Sequence, residues 1–504
     1  MKSQFRSKYL LTIAFVAGMS IMAMEIGASR LIAPFFGTSL FVWTNVIGVV
    51  MIALSIGYYI GGKLADKKPE LKMLLWLLCI AGLMFAFVPF AAAPLAIVIK
   101  LAIFETASAS TMIMLGSFLL ILILFAMPLL LLGMVSPYVI KLYADDEAHL
   151  GEQAGSIFAL STVGSILGTF LPTLWLIPTV GTRWTILIFA LILIVVSGVG
   201  LYRDKRYILL VIVFAIFGSF SMLEPVSARS IYRGESVYQY IEVIEDDDDR
   251  RMLLFNEGLG VQSVFDPEDI FLGMYYDYYL PLPELFEDEV NVGIIGLAGG
   301  SLSRAFTSIY GDRVAIDGVE IDKKVIEVAR EYFELDQPSL TVFNEDGRLF
   351  VERKQSAYDL LIIDAYTQQL YIPFTMTTQE FWRDAELALK DGGVVALNMN
   401  ATSLEAPLLS AISNTVSSVF SHTYVVPLTH NASWNYIVLA SNGPINLELL
   451  HELELEEPLN TYANVLSSQA VEFVHDPEQL VLTDDRAPIE LMTEEMIIDY
   501  YFEH

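Results

Sequence analysis

Cysteine is almost absent from the 504 residues: Cys79 is the only one, and it lies in an apolar run. That excludes a disulfide framework and any cluster of thiolate ligands, and it leaves the redox compartment open. The six histidines are scattered without ligand spacing, so a metal centre has little support. No nucleophile elbow and no convincing Ser/His/Asp set is present. Basic residues are also scarce, 29 against 59 acidic, for a formal net charge of −30. Such a field repels phosphate backbones and anionic lipid, so nucleic acid is not an expected partner. It would attract cations, although solubility or adaptation to salt explains it as simply.

The charge is unevenly spread. Residues 1–223 carry 14 Lys+Arg and 9 Asp+Glu, a net of +5, and residues 224–504 carry 15 and 50, a net of −35. The first part is apolar and the second reads as an acidic soluble domain. Apolar runs recur at 9–27, 40–60, 73–99, 111–140, 155–178, 184–201 and 207–223. Most are near the ~20 residues that a helix needs to cross a bilayer, so residues 1–223 are expected to form a transmembrane helical domain of about seven spans. Pro128 or Pro137 is expected to kink the fourth run, and Pro89 and Pro94 to interrupt the third. Lys2, Arg6 and Lys8 precede the first run, which lacks a persuasive cleavage site and is expected to stay as an uncleaved helix.

Those N-terminal cations mark one side of the membrane as cytoplasmic, together with Lys63, Lys67, Lys68, Lys72, Arg203, Lys205 and Arg206. Seven spans would then put the acidic domain on the other side. Within the apolar part, Glu25, Arg30 and Asn45 are either site candidates or groups reaching toward headgroups. The stretch Gly61-Gly62-Lys63-Leu64-Ala65-Asp66-Lys67 resembles the loop between the second and third helices of major facilitator transporters. Gly57 and Gly61, four apart, read equally well as a helix-packing face.

The second part opens with a β-rich lead, residues 224–285. Strands are expected at 236–245, 251–255 and 261–265, then helices, or a helix and a turn, around 270–280. From 286 to 504 strands alternate with helices: strands at 291–297, 314–320, 340–343, 359–364 and 393–398, with helices at 322–333, 378–389 and 404–420, and further strands at 424–427 and 436–440. The rhythm predicts a mostly parallel, doubly wound Rossmann-like sheet of the methyltransferase type.

In such sheets a ligand lies at the carboxyl ends of the strands. There the sequence places the turn Gly296-Leu297-Ala298-Gly299-Gly300-Ser301, then Glu320, then Asn344-Glu345-Asp346-Gly347, then Asp364. Small residues let backbone approach a ligand, and a glutamate after the second strand suits ribose hydroxyls. A carboxylate after the third strand suits an adenine amino group, and Asp364 faces whatever reacts. The turn lacks the third glycine of dinucleotide-binding loops and fits a nucleoside without a pyrophosphate better. Near the C-terminus, Thr483-Asp484-Asp485-Arg486-Ala487-Pro488 reads as a structured turn in which Arg486 pairs with its own aspartates or reaches a substrate carboxylate.

Residues 234–440 resemble the spermidine synthases, or polyamine aminopropyltransferases, and the whole chain resembles their membrane-fused bacterial relatives. The resemblance rests on Val237-Tyr238-Gln239-Tyr240, residues 258–262, residues 275–280, the glycine turn, Val319-Glu320-Ile321-Asp322, Glu345-Asp346-Gly347 and residues 358–364. It implies decarboxylated S-adenosylmethionine, or S-adenosylmethionine, as co-substrate, with no permanently bound cofactor and with methylthioadenosine as product. It implies that Gln239, Gln262, Gly296, Gly299, Gly300, Glu320, Asp346 and Gly347 hold the donor, and that Asp364 and Tyr275 act in catalysis. The chain departs from the family pattern at Thr367, where a second aspartate is usual, and at Phe255-Asn256-Glu257-Gly258, in place of a Leu-Asp-Gly segment. The acceptor site therefore reads as remodelled.

Three functions stay open on these residues. They are transfer of an aminopropyl group to putrescine or another polyamine, an acceptor-independent lyase or cyclase, and a polyamine transporter or sensor. The expected partners are the lipid bilayer, the nucleoside donor, a polyamine and a second copy of the chain. The expected place is the cell (inner) membrane, multi-pass. The donor is made inside cells, so the soluble domain is expected in the cytoplasm, which conflicts with the charge pattern if the spans number seven.

Overall fold

The computed structural model describes residues 3–37, 40–103, 109–143, 150–220, 229–256, 260–366, 371–428, 434–453 and 455–503. The chain divides into two compact units, Met1–Ala228 with Gly234–Tyr240, and Arg229–Arg233 with Ile241–His504.

The first unit is helical. Among the described residues five of its helices are long and apolar enough to cross a membrane: Arg6–Phe36, Phe41–Lys67, Leu71–Ala102, Met114–Tyr143 and Leu150–Leu201. The last is 52 residues long and holds two of the seven apolar runs. It is broken at Gly181, whose φ of 83° and ψ of 165° are not helical. The seventh run forms the 16-residue helix Lys205–Phe220.

Pro89 and Pro94 do not interrupt the third run, because both lie inside the helix Leu71–Ile103. Within a helical bundle, neighbouring helices and local adjustment re-satisfy the carbonyls that proline frees. The fourth run does deviate, with a π turn over Leu122–Ala126 just ahead of Pro128. The stretch 61–67 is not a loop: it forms the last turns of the helix Leu40–Lys67, where Asp66 pairs with Lys141 at 2.9 Å. The packing reading holds for the glycines before it. A Cβ on Gly57 would stand 2.3 Å from the Leu130 carbonyl oxygen, and one on Gly61 2.6 Å from the Met134 Cα. Asn45 donates to Ser117 Oγ and to the Met114 carbonyl, and Arg30 donates to the carbonyls of Val237 and Tyr238.

The second unit carries two sheets. A small four-stranded sheet runs in the order β1 (Ser230–Glu235), β2 (Tyr240–Glu245), β3 (Arg251–Phe255), β4 (Val261–Phe265). The acidic turn between β2 and β3 is closed by Asp246, which accepts from the Asp248 and Arg250 amides. β1 was not expected from sequence, and the segment 236–239, read as strand, is a turn in which Ser236 Oγ accepts from the amides of Tyr238 and Gln239. In place of the helices, or helix and turn, expected around 270–280 there is a single 3-10 turn, Tyr275–Tyr279.

The large sheet has eight strands. β5 (Val290–Ile295), β6 (Val314–Val319), β7 (Leu340–Phe343), β8 (Tyr358–Ile363) and β9 (Leu389–Asn400) are parallel in the spatial order β9-β8-β5-β6-β7. β10 (His422–Pro427), β11 (Asn435–Ser441) and β12 (Val471–Glu472) extend the β9 edge antiparallel. The central stretches of the parallel strands are apolar because both faces are covered, and alternate residues enter two separate cores. Val292, Ile294, Leu360 and Ile362 pack in one, and Ile295, Leu361, Ile363 and Leu397 in the other. The order steps from β5 outward through β6 and β7, and from β5 the other way through β8 and β9. The doubly wound, Rossmann-like fold therefore reverses between β5 and β8, the switch point at which ligands of such sheets bind.

Candidate functional site

The turn after β5 is built from residues that tolerate left-handed backbone. Gly296 has φ +93° and Gly300 φ +80°, and Ala298 between them also has positive φ. A Cβ on Gly296 would stand 2.3 Å from the carbonyl oxygen of Asp364, so only glycine lets the two strand ends lie side by side. The Asp364 amide donates back to the Ile295 carbonyl at 2.8 Å. Gly299 donates its amide to Ser263 Oγ at 2.9 Å, and its own Cβ position would meet the Ser263 Cβ at 2.6 Å. Gly300 opens the helix Ser301–Tyr310, whose Ser301 hydroxyl donates to the Val264 carbonyl. Two residues of β4, Ser263 and Val264, thus fix the glycine turn, and Gln262 precedes them in the same strand.

Glu320 follows β6 and is buried. Its Oε2 accepts from the Ala298 amide and its Oε1 from the Asp322 amide, both at 3.0 Å. Burial pushes its ionisation up to about 7, against the pull of those two amides. The strand end after β7 is tied to the same place, because Asn344 Nδ2 donates to the carbonyls of Glu320 and Ile321 at 2.9 Å. Asp346 caps the helix Gly347–Glu352 through Leu349 N at 3.1 Å. Gly347 abuts β5, with its Cβ position 2.4 Å from Ile295 Cγ2.

Asp364 follows β8 and is half-buried. Tyr275 Oη donates to its Oδ2 and Asn398 Nδ2 to its Oδ1, each at 2.9 Å. Burial raises its ionisation to about 6, and the two donors restrain that rise. Burial and the nearby Asp364 push the phenols of Tyr275, Tyr279 and Tyr366 upward, so all three are neutral at ordinary pH. Tyr366 Oη donates to the Asn398 carbonyl at 3.0 Å. Beneath this group the buried Asp277 accepts from Gly273 N and Tyr462 Oη, which secures the tyrosine-rich turn carrying Tyr275.

The sequence-predicted residues are thus gathered in part. Tyr275, Gly296 and Asp364 meet directly, and Glu320 meets the glycine turn at Ala298. Asp346 stands at the next strand end with its Oδ1 engaged as a helix cap. Gln239 lies in the segment Gly234–Tyr240 of the helical unit, buried in the turn headed by Ser236. Thr367, Gln368, Gln369, Glu257 and Gly258 lie outside the described residues. Arg486 is not the partner of Asp484: Arg348 takes that aspartate in a two-pronged pair at 2.7 and 2.6 Å, with Thr378 Oγ1 as a further donor. The turn itself is real, closed by paired backbone bonds between Thr483 and Arg486. Sequence reasoning passed over Ser263, Asn398 and Asn435. The strand-end rule that found Asp364 also points to Asn398-Met399-Asn400, at the end of β9. Among the described residues no group of three or more His, Cys, Asp or Glu is arranged to hold a metal ion.

Residues 292–448 match the spermine/spermidine synthase domain. A probable polyamine aminopropyl transferase of Bifidobacterium longum is 33% identical over 315 residues, 58% of this chain and 69% of that protein. A polyamine aminopropyltransferase of Vibrio vulnificus is 29% identical over 296 residues, 55% of this chain and 92% of the relative. The crystal structure of spermidine synthase from Thermotoga maritima is 24% identical and covers 45% of this chain and 79% of that one, with a TM-score of 0.38. With 33% identity over an alignment that covers more than two thirds of the first relative, and with the synthase domain matched over the parallel sheet, the chain belongs to the spermidine synthase, or polyamine aminopropyltransferase, family.

Proposed function

We propose that this enzyme transfers an aminopropyl group from decarboxylated S-adenosylmethionine to an amine and releases methylthioadenosine. The observation that carries the reading is Asp364, held between Tyr275 and Asn398 beside the glycine turn. An ammonium has no lone pair and cannot attack, so the acceptor must lose a proton near the reacting carbon. The Asp364 carboxylate binds that nitrogen and takes its proton, while Tyr275 keeps the carboxylate in place. The nitrogen lone pair forms the new C–N bond to the methylene next to sulfur. The C–S bond breaks with its electron pair going to sulfur, which turns from a sulfonium into a neutral thioether and needs no acid to leave. The rate gain comes chiefly from holding the two reactants in line.

On this reading Glu320 holds the ribose hydroxyls and Asp346 the adenine amino group. Gln262 lines the donor, and the small residues Gly296, Gly299, Gly300 and Gly347 let backbone close on it. The acceptor is a polyamine such as putrescine. The helical unit is inserted in the cell membrane, and the synthase part works in the cytoplasm, where the donor is made.

A second reading is favoured by two features: the groups that act on Asp364 are neutral, and position 367 is threonine. A dication would find one carboxylate there instead of two. An acceptor-free reaction, in which the donor's own amine or carboxylate displaces the thioether, uses the same residues. Purified full-length protein given S-adenosylmethionine or its decarboxylated form, each with and without putrescine, separates the two. Methylthioadenosine release that needs both the decarboxylated donor and the amine is the expected result. Release without amine establishes the acceptor-free reaction, and no release in any mixture removes the enzymatic reading.

A further inference from the structure

Asp364 is held by an amide whose own orientation is set from a neighbouring strand. We propose that Asn435 and Asn398 form a positioning relay for Asp364, in which Asn435 fixes the amide of Asn398 so that its NH2 end faces the carboxylate. This role rests on Asp364 being the group that handles the amine, and its test reads Asp364 without turnover.

β11 and β9 are antiparallel neighbours, with Asn435 paired to Asn400 and Ile437 to Asn398. Side chains two apart in a strand share a face, so Asn398, Asn400 and Asn435 project together, Asn435 opposite one and diagonal to the other. The contacts follow that register. Asn435 Nδ2 donates to Asn398 Oδ1 at 2.9 Å and to Asn400 Oδ1 at 3.3 Å. Asn398, itself buried, then has its oxygen occupied and its NH2 directed at Asp364 Oδ1, 2.9 Å away. Its main chain is pinned as well, by Tyr366 Oη on the Asn398 carbonyl.

The two ends of a primary amide have nearly the same shape and opposite polarity, and only the hydrogen-bond network chooses between them. Turned round, Asn398 would set an oxygen against the carboxylate, an arrangement that is tolerable only when Asp364 carries a proton. The titratable groups facing Asp364 are the phenols of Tyr275, Tyr276, Tyr279 and Tyr366, all held neutral by burial. The forces acting on its ionisation are burial on one side and the bonds from Asn398 and Tyr275 on the other. An amide free to rotate would remove one of those two restraints. Asn435 therefore acts on the carboxylate through Asn398.

The test is infrared difference titration of the full-length protein in lipid, with Asp364→Asn as the blank that isolates the Asp364 carboxyl signal. Asn398→Leu should move the Asp364 midpoint up by about one pH unit, the weight of one bond to a charged group. Asn435→Leu should move it the same way by a smaller step, and the double variant should move it no further than Asn398→Leu alone. A shared path gives that non-additivity, whereas independent structural effects add. Should Asn398→Leu not fold, Asn398→Ala takes its place. An unmoved midpoint in Asn435→Leu, or additive shifts in the double variant, overturns the relay. Because no substrate is present, these results stand apart from the methylthioadenosine assay: a protein inactive in that assay with a coupled titration keeps the relay and loses the transferase reading.

Discussion

Tyr275 Oη donates to Asp364 Oδ2 at 2.9 Å, joining a 3-10 turn to the end of a strand 89 residues later. The bond is one of two that restrain the rise of Asp364's ionisation, so its removal has a definite sign. Tyr275→Phe keeps the ring and takes away the donor. The Asp364 pKa then rises further from about 6, and at neutral pH part of the enzyme holds a protonated acid that neither binds an ammonium nor accepts its proton. We expect turnover at pH 7 to fall by about ten-fold or more, with partial recovery as the pH is raised to 9. A uniform loss at every pH would show that Tyr275 acts by packing alone.

Glu320 offers a second pH signature, in binding. Its pKa is raised to about 7 by burial, so the carboxylate that accepts hydroxyl protons is progressively lost as pH falls through neutrality. Methylthioadenosine affinity, measured by calorimetry, should strengthen as pH rises from 6 to 8. Glu320→Gln should bind about ten-fold more weakly at pH 8 and show no such dependence. An unchanged pH profile in the variant would remove Glu320 from the nucleoside site.

These two residues were legible in the sequence because strand ends are. The run 360–364 is apolar up to one polar residue, and period and polarity together mark Asp364 as the first side chain outside the core. Glu320 was legible in the same way, and so was the glycine turn. Asn398 ended its expected strand just as Asp364 did, and it was passed over because its side chain carries no charge. Its neutral amide also resembles ordinary strand-end polarity. Asn435 and Ser263 escaped for a different reason: their partners lie 37 and 36 residues away, and pairing register across strands is not written in local pattern. The prolines of the third apolar run were misjudged because helix-breaking rules assume water as the competitor for freed carbonyls.

Stability should also follow pH in a predictable direction. Asp364 and Asp277 have folded-state values near 6 and Glu320 near 7, all above the ordinary carboxylate range, with burial as the leading cause. A group whose pKa is raised by folding favours the folded state when protonated, and its contribution is lost as pH rises through the folded value. The synthase unit should therefore unfold at a higher temperature at pH 5.5 than at pH 8. Glu320→Gln and Asp277→Asn should each flatten that slope, read by thermal denaturation followed by circular dichroism. Steeper dependence in the variants would reverse the sign argued here.

Gly296 separates the demands of the fold from those of the site. Its φ of +93° is costly for any side chain, and a Cβ there would press on the Asp364 carbonyl at 2.3 Å. Gly296→Ala must displace one of the two strand ends, and Asp364 N is itself bonded to Ile295 O in that corner. The strain alone is worth about 1–2 kcal/mol, which a sheet of eight strands with two apolar cores can absorb. Misplacing a catalytic carboxylate by an ångström is far more serious, of the order of 100-fold in rate. The expected outcome is a folded protein with a modestly lowered melting temperature and turnover reduced by about two orders of magnitude, checked by calorimetry and methylthioadenosine release on the same sample. Full activity in that variant would mean that the corner is slack and that Asp364 is not held there for chemistry.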